Sequence, residues 1–344
     1  MTRTAQDVLA TAGELADEVL FPDAMRVDRL DVLPAAHLDA LAAAGLYGAP
    51  APADAGGLGL DLVQVANVVE ELAGGCLAVA FVLIQHFRLV TTLAEGGAPA
   101  VLRDRWLASA CQGRTRGGIA LTGLIPGPPR LRAEPAEGGW RLDGTAPWVT
   151  GWGLIDLVQV VARGPDDTVV TLIMDAAAQP GLTATRQRLV AVDAAVTVRL
   201  GFDGVLIPAE RFVDQVPFDP AVSVQPAGLR LNGSLALGVA RRCARRLGPS
   251  PLDDEVTACR DGLDAALGAD PEPMAAARAA ASELALRAAA ALAVRDGGNS
   301  ITVDEHPQRL AREALFLLVF GSRPGIKNAL LHQLGAAAVP SGRA

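Results

Sequence analysis

One histidine in this chain has a side chain suited to proton transfer. His86 lies in the apolar run Ile84-Gln85-His86-Phe87, and an unperturbed imidazole exchanges its proton near neutral pH. It could therefore donate a proton, or remove one from an N–H or O–H group. The alternative interpretation is a hydrogen-bonded core residue, which is the more frequent role of a lone histidine in an apolar helix. The remaining histidines are expected at the surface or at helix ends without a partner: His37, His306 and His332.

The cysteines and arginines offer little further chemistry. The cysteines have no CxxC spacing and no histidine nearby, so neither a zinc site nor a disulfide framework is predicted: Cys76, Cys111, Cys243 and Cys259. A reducing, cytoplasmic compartment fits this pattern. Four arginines cluster on one predicted helix, and we interpret them as a solvated or subunit-facing stripe rather than an anion site: Arg241, Arg242, Arg245 and Arg246.

Charge and hydropathy restrict the class of partner. The formal net charge of -8 argues against a nucleic-acid surface, because phosphate binding needs uncompensated Lys and Arg. The N-terminus has no apolar segment behind a basic cap, and no later window is expected to span a bilayer. The sequence therefore predicts neither a nucleic-acid nor a membrane partner.

The elements that must position any site change type twice along the chain. Apolar residues recur at helical spacing from Ala5 to about Cys111, and short β-rich runs with turn residues between them follow from Gly117 to about Pro217. Helical spacing then returns in four segments of bundle length: Leu229 to Leu247, Glu255 to Leu267, Met274 to Val294 and Pro307 to Leu334. Helices, a β-domain and a helical bundle are predicted in that order.

Two motifs in the β-rich part, with this order of elements, resemble the acyl-CoA dehydrogenase family. Leu121-Thr122, followed by Pro126-Gly127, resembles the family's first flavin motif, and Trp148-Val149-Thr150 resembles the second. The resemblance runs from about Asp7 to about Leu334. It implies a mainly α fold with a central β-domain, divided into an N-terminal helical domain (1–115), a β-barrel domain (116–218) and a C-terminal four-helix bundle (219–344).

The resemblance also implies a cofactor and the residues that contact it. It assigns Leu121, Thr122, Trp148 and Thr150 to FAD, since an indole can lie against the flavin ring while a threonine hydroxyl bonds its polar edge. Further implied contacts are a glycine loop that meets a neighbouring subunit's flavin, and a hydroxyl that replaces a family threonine: Gly297, Gly298 and Ser322. A homodimer or homotetramer is expected on the same grounds.

The chain departs from the family where the catalytic base should be. The family motif Tyr-Glu-Gly-Thr is here Val319-Phe320-Gly321-Ser322, and phenylalanine has no acceptor for a proton. Some family members carry the glutamate on the first bundle helix instead, but that position falls at Gly228 or Leu229. Both known positions of the base are therefore apolar.

Three hypotheses follow from this resemblance and this departure. The first is an FAD-dependent oxidoreductase that acts on an acyl thioester or related substrate without the usual glutamate base. The second is a flavin-dependent monooxygenase of the same fold, for which His86 is the candidate catalytic residue near the flavin. The third is a non-catalytic subunit that pairs with a glutamate-bearing paralogue.

Overall fold

The N-terminal part of the chain consists of helices. A computed structural model describes residues 3–95, 97–219, 226–268 and 271–337. A π-helical turn at Leu15–Leu20 joins α1 to α2, and the helices of this part are α1 (Ala5–Glu14), α2 (Phe21–Val27), α3 (Ala35–Ala43), α4 (Leu62–Gly75), α5 (Leu77–Ala94) and α6 (Ala100–Cys111). Reciprocal side-chain to backbone hydrogen bonds cap two of them, from Thr4 and Asp7 at α1 and from Asp61 and Gln64 at α4.

Eight strands follow and form one mixed sheet. They are β1 (Gly117–Ala120), β2 (Leu131–Ala136), β3 (Gly139–Val149), β4 (Leu157–Arg163), β5 (Thr168–Asp175), β6 (Leu182–Arg186), β7 (Val198–Pro208) and β8 (Phe212–Pro217). Their order is β6-β7-β3-β2-β4-β5-β8, and β1 pairs in parallel with β4. Strands β2 to β5 and β7 direct side chains into one apolar cluster, so the sheet curves around its own core.

The C-terminal part is helical again. It contains α7 (Pro226–Leu247), α8 (Pro251–Ala265), α9 (Pro271–Asp296), α10 (His306–Val319) and α11 (Pro324–Gln333). The single final helix that the sequence predicted is two helices, because Gly321 adopts a φ of 61° and Pro324 begins α11. The predicted fold class, mainly α with a central β-domain, is confirmed.

The helices before and after the sheet share one hydrophobic core. A single cluster of buried side chains extends from Val8 on α1, through Leu83 on α5 and Leu237 on α7, to Leu330 on α11. Helix α5 lies within this cluster. Its length and hydropathy would allow it to cross a membrane, and 78% of that window is buried inside the protein. The expectation that no window is apolar enough was therefore wrong for α5, whose apolar composition accompanies burial in the core.

The arginine cluster on α7 joins these two helical parts. Arg241 pairs with Glu71, while Arg242 pairs with Asp17 and donates to the carbonyl of Gly74 at 2.6 Å. The interpretation as a solvated or subunit-facing stripe was wrong for Arg241 and Arg242, because their acidic partners come from helices that lie far away in the sequence. We call this set of contacts between α7 and the N-terminal helices the arginine seam.

A buried carboxylate strengthens the arginine seam. Glu70 on α4 is 2% exposed and accepts hydrogen bonds from Nε and Nη2 of Arg260 at 3.0 and 2.5 Å. Nε of Arg241 lies 3.5 Å from the same carboxylate. A buried charge with these partners is stable, and it would be costly to leave it alone.

Candidate functional site

The end of strand β3 presents an aromatic side chain to the outside. Trp148 is 62% exposed, whereas Val149 is fully buried and Thr150 is 5% exposed. The hydroxyls of Thr150 and Thr197 lie 3.1 Å apart, which fixes the strand end to the start of β7. Large exposed aromatic side chains are uncommon on a folded protein unless they meet a ligand or a partner.

The predicted flavin-contact threonine follows β1. Thr122 begins a 3-10 turn, Thr122–Leu124, and is buried. No hydrogen bond to its hydroxyl is present among the described residues, so this group remains free to bond a ligand. Strand β1 lies against the end of β3, since a Cβ at Gly118 would come 3.2 Å from the carbonyl oxygen of Thr150. The start of β1 therefore packs against the residue that follows β3, and Thr122 lies further along the chain, in the turn after β1.

A strained loop borders the exposed tryptophan. Two β-branched residues in it, Val192 and Val196, have φ angles of 54° and 49°, which is an unusual conformation for such side chains. The amide of Gln187 bonds the carbonyl of Pro147, directly before Trp148, and the N–H of Gly151 donates to the carbonyl of Ala195 at 2.8 Å. Backbone strain of this kind is concentrated at functional sites in proteins.

The same loop meets α10. Nη1 of Arg312 donates to the carbonyl of Val190 at 2.6 Å and to Oδ1 of Asp28 at 3.1 Å. Val190 is exposed, as are Leu315 and Val319, which follow Arg312 on α10. We call the exposed apolar residues of this region, where the loop meets both the end of β3 and α10, the junction surface: Trp148, Val190, Leu315 and Val319.

Phe320, the residue predicted to replace the family's glutamate, lies at the end of α10 in a cluster of three rings. Its ring stacks on Phe316 with a centroid distance of 5.4 Å and meets the edge of Phe81 on α5 at 4.8 Å. The other two rings lie 5.3 Å apart. This position therefore offers ring faces and edges in place of a proton acceptor. Of the alternative base positions, Gly228 is exposed and Leu229 is buried.

A buried arginine holds the backbone beneath this aromatic cluster. Nη2 of Arg278 donates to the carbonyls of Leu317 and Phe320 at 3.2 and 3.5 Å, and Ser282 donates to the first of these at 2.9 Å. Burial lowers the pKa of Arg278 to about 10, and its charge is offset by the carbonyl end of the α10 dipole.

His86 lies inside the protein. It is 1% exposed, its Nδ1 accepts the N–H of Gly117 at 2.9 Å, and its ring meets the edge of Tyr47 at 4.9 Å. Burial lowers the pKa of His86 to about 3, so the ring is neutral at physiological pH. These contacts correspond to the alternative interpretation, a core histidine that connects α5 to β1.

Two other histidines have partners that the sequence did not indicate. His37 is 4% exposed, and its Nε2 lies 2.9 Å from Oδ2 of Asp23. His306 stacks on Phe21 with a centroid distance of 4.1 Å. The expectation that these residues lie without a partner was wrong, because each contacts a residue of α2.

The remaining predicted contacts lie elsewhere on the C-terminal helices. Gly297 and Gly298 are exposed in a 3-10 turn after α9, and a Cβ at either position would meet no other atom. Ser322 is partly buried in the turn after Phe320, where its N–H donates to the carbonyl of Val319 at 3.3 Å. It therefore lies close in the chain to the aromatic cluster.

Comparison with known proteins finds a family model for the N-terminal part of the chain and several relatives. The family model "Acyl-CoA dehydrogenase, N-terminal domain" matches residues 2–114. Benzylmalonyl-CoA dehydrogenase of Aromatoleum aromaticum is 27% identical over 70% of this chain and 65% of its own length. The human mitochondrial short-chain specific acyl-CoA dehydrogenase is 24% identical over 70% and 61%, respectively. The matched stretches thus span less than two thirds of these relatives.

Solved structures share the fold over almost the whole chain. Butyryl-CoA dehydrogenase from Megasphaera elsdenii has a TM-score of 0.82 at 20% identity, covering 97% of this chain and 98% of its own. A glutaryl-CoA dehydrogenase from Mycobacterium smegmatis, in complex with FADH2, has a TM-score of 0.78 at 20% identity, covering 99% and 96%.

Proposed function

Because this chain is a member of the acyl-CoA dehydrogenase family, we propose that it binds FAD beside Trp148 and is a flavin-dependent oxidoreductase. The observation that carries the proposal is the exposed indole at the end of β3. The second group that we assign to the flavin is the hydroxyl of Thr122, in the turn after β1. The apolar junction surface suits the rest of a planar ring system. Bound FAD would supply the acceptor for a hydride from the substrate.

The substrate we propose is an acyl thioester or a related compound that is oxidised without a carboxylate at position 320. In α,β-dehydrogenation a base removes the proton α to the carbonyl group while hydride leaves the β-carbon. Phe320 contributes only apolar contacts with Phe81 and Phe316. A substrate whose proton is more acidic, or whose oxidation needs no proton removal at this point, is therefore favoured over a simple saturated acyl thioester.

His86 is a poor candidate for acid-base chemistry in a monooxygenase. Its Nδ1 is used by the backbone of Gly117, and its low pKa keeps the ring neutral. The third hypothesis, a non-catalytic subunit, is favoured by the aromatic cluster itself, because a site that has lost its base can fill the space with rings. The two functions differ in whether bound flavin is reduced by a substrate.

Self-association and a cytoplasmic location are part of the proposal. Three apolar side chains around the turn after α9 are exposed, beside the glycines that resemble the family's subunit-contact loop: Val294, Ile301 and Val303. Their exposure supports a homo-oligomer in which this turn meets a neighbouring subunit.

The test compares flavin binding with flavin reduction. The visible absorption spectrum of the purified protein is recorded with and without added FAD, and bound flavin is then followed anaerobically with a panel of acyl thioesters. We expect a bound flavin, and bleaching by some thioesters but not by simple saturated ones. A protein that does not bind added FAD would contradict the proposal. A bound flavin that no thioester reduces would favour the non-catalytic subunit.

Substitution at position 320 sharpens this test. Phe320→Glu places a carboxylate at the position proposed for the family's base. Phe320→Leu also removes the ring of Phe320 but adds no base. If the chain keeps a dehydrogenase scaffold, we expect only Phe320→Glu to gain bleaching by saturated acyl thioesters. The oxidoreductase proposal for the natural chain is refuted if Phe320→Glu oxidises acyl thioesters while the natural chain neither binds FAD nor turns over reduced flavin.

A further inference from the structure

Arg163, the last residue of β4, reaches the turn that carries Thr122. The residue is buried, and its Nε and Nη2 donate to the carbonyl of Gly123 at 3.3 and 3.2 Å. Nη2 also donates to the carbonyl of Ile125 at 3.3 Å. One guanidinium thus bonds two carbonyls on the C-terminal side of the predicted flavin-contact threonine.

The other side of the guanidinium is held equally firmly. Nη1 donates to Oδ1 of Asp167 at 2.7 Å, and the group lies over the ring of Phe218, 3.4 Å from its centroid. The N–H of Phe218 donates to the carbonyl of Asp167 at 2.9 Å. Arg163 therefore connects the Thr122 turn to the turn before β5 and to the residues that follow β8.

Packing also holds the Thr122 turn, because Leu124 is buried in a small cluster with Val161 and Val169. Gly123 packs so closely that a Cβ there would lie 2.5 Å from the carbonyl carbon of Ala162, so the turn follows the backbone of β4. Within the turn, the N–H of Ile125 bonds the carbonyl of Thr122 at 3.2 Å. Without Arg163, the carbonyls of Gly123 and Ile125 would lose a charged donor, and buried carbonyl groups without donors are costly.

We propose that Arg163 is a positioning residue for the cofactor site. It holds the Thr122 turn in the conformation that presents the threonine hydroxyl to FAD, although it does not contact the ligand itself. The inference rests on the proposed function, since it concerns the same site. A positioning role predicts that Arg163 acts through Thr122, and this separates it from a general contribution to folding.

The experiment measures the Kd of the full-length chain for FAD in a double-mutant cycle. Arg163→Met removes the donors at similar volume, and Thr122→Val removes the hydroxyl. We expect Arg163→Met to weaken FAD binding by about tenfold or more, since bound FAD must then order the turn itself. The double variant should bind FAD more weakly than the wild type by a factor clearly smaller than the product of the two single-variant factors.

Two further variants complete the cycle. Arg163→Lys keeps the charge but cannot donate hydrogen bonds to both carbonyls and to Asp167 at once. Its affinity for FAD should lie between those of the wild type and Arg163→Met. Arg141→Met is the matched control, because Arg141 pairs with Glu134 and Asp143 on the surface of the same domain. Its FAD affinity should equal that of the wild type.

The outcomes distinguish this inference from the proposed function. A wild-type chain that does not bind FAD overturns both. A wild-type chain that binds FAD, with Arg163→Met unchanged or with strictly multiplicative effects of the two substitutions, overturns the positioning role alone. Should Arg163→Met fail to fold, Phe218→Leu replaces it in the cycle. It removes the ring under the guanidinium and should weaken binding by roughly two- to fivefold, again non-additively with Thr122→Val.

Discussion

Replacing Trp148 by alanine should separate ligand binding from stability. The indole is 62% exposed, so its removal deletes little buried surface and leaves the packing of Val149 untouched. We expect the free energy of unfolding to change by no more than about 0.5 kcal/mol. Stacking of an aromatic side chain on a planar ring contributes about 1–3 kcal/mol, so FAD should bind roughly 5- to 150-fold more weakly.

A second tryptophan on the same strand provides the opposite control. Trp140 stacks on Phe212 of β8 with a centroid distance of 5.8 Å and an interplanar angle of 9°, and it packs against the sheet core. Trp140→Ala should therefore lower the free energy of unfolding by about 1–3 kcal/mol. Its affinity for FAD should remain that of the wild type.

The assay combines urea unfolding, followed by circular dichroism, with titration of FAD followed by the anisotropy of its own fluorescence. Neither signal uses the emission of tryptophan, and equilibrium dialysis of FAD gives a Kd that does not depend on fluorescence. If Trp148→Ala unfolds as readily as Trp140→Ala while it binds FAD as tightly as the wild type, the assignment of Trp148 to the ligand is refuted.

Two further predictions concern buried ionisable groups. Glu70→Gln should lower the free energy of unfolding, measured in urea, by about 3 kcal/mol, because it leaves Arg260 and Arg241 near an uncharged partner. Glu134→Gln, in an exposed pair, should lower it by at most about 1 kcal/mol. Equal losses would contradict a stabilising role of the arginine seam. The pKa of His86 is about 3 in the folded chain and about 6.5 when unfolded, so the unfolded chain binds more protons and stability falls as the pH drops from about 6.5 toward 3. His86→Gln keeps an acceptor for the neighbouring N–H and should flatten this fall in acid titrations; an identical slope would show that the histidine does not contribute.

The order of elements was predictable because it depends on local periodicity. Helical and strand spacing gave the three parts of the chain, and apolar runs such as those of β4 and β5 gave the central strands. The short β1, with its two glycines, carries no alternating pattern, and the sequence did not predict it. The break between α10 and α11 depends on the positive φ of Gly321. The sequence analysis did not predict this break, because the apolar run before Gly321 suggested one continuous helix.

Candidate site residues could be proposed only where a motif is continuous in the chain. Trp148 and Thr150 were proposed from one tripeptide, and Phe320 as the replacement of the glutamate from another short motif; these assignments stay predictions. Arg163 and Arg278 were missed because their partners are backbone carbonyls distant in the sequence. The available signal was a charged residue within an apolar segment: Arg163 ends the run Val158 to Ala162, and a cation there needs a buried acceptor.

The arginine seam has a consequence for the order in which the chain is made. The N-terminal helices leave the ribosome first, yet the partners of Glu70 and Asp17 lie on α7 and α8, after the whole β-domain. The hydrophobic core that these helices share with the C-terminal part is equally incomplete until then. The segment that the family model matches therefore cannot complete its packing alone. During synthesis its acidic and apolar surfaces stay uncovered until the last third of the chain is made.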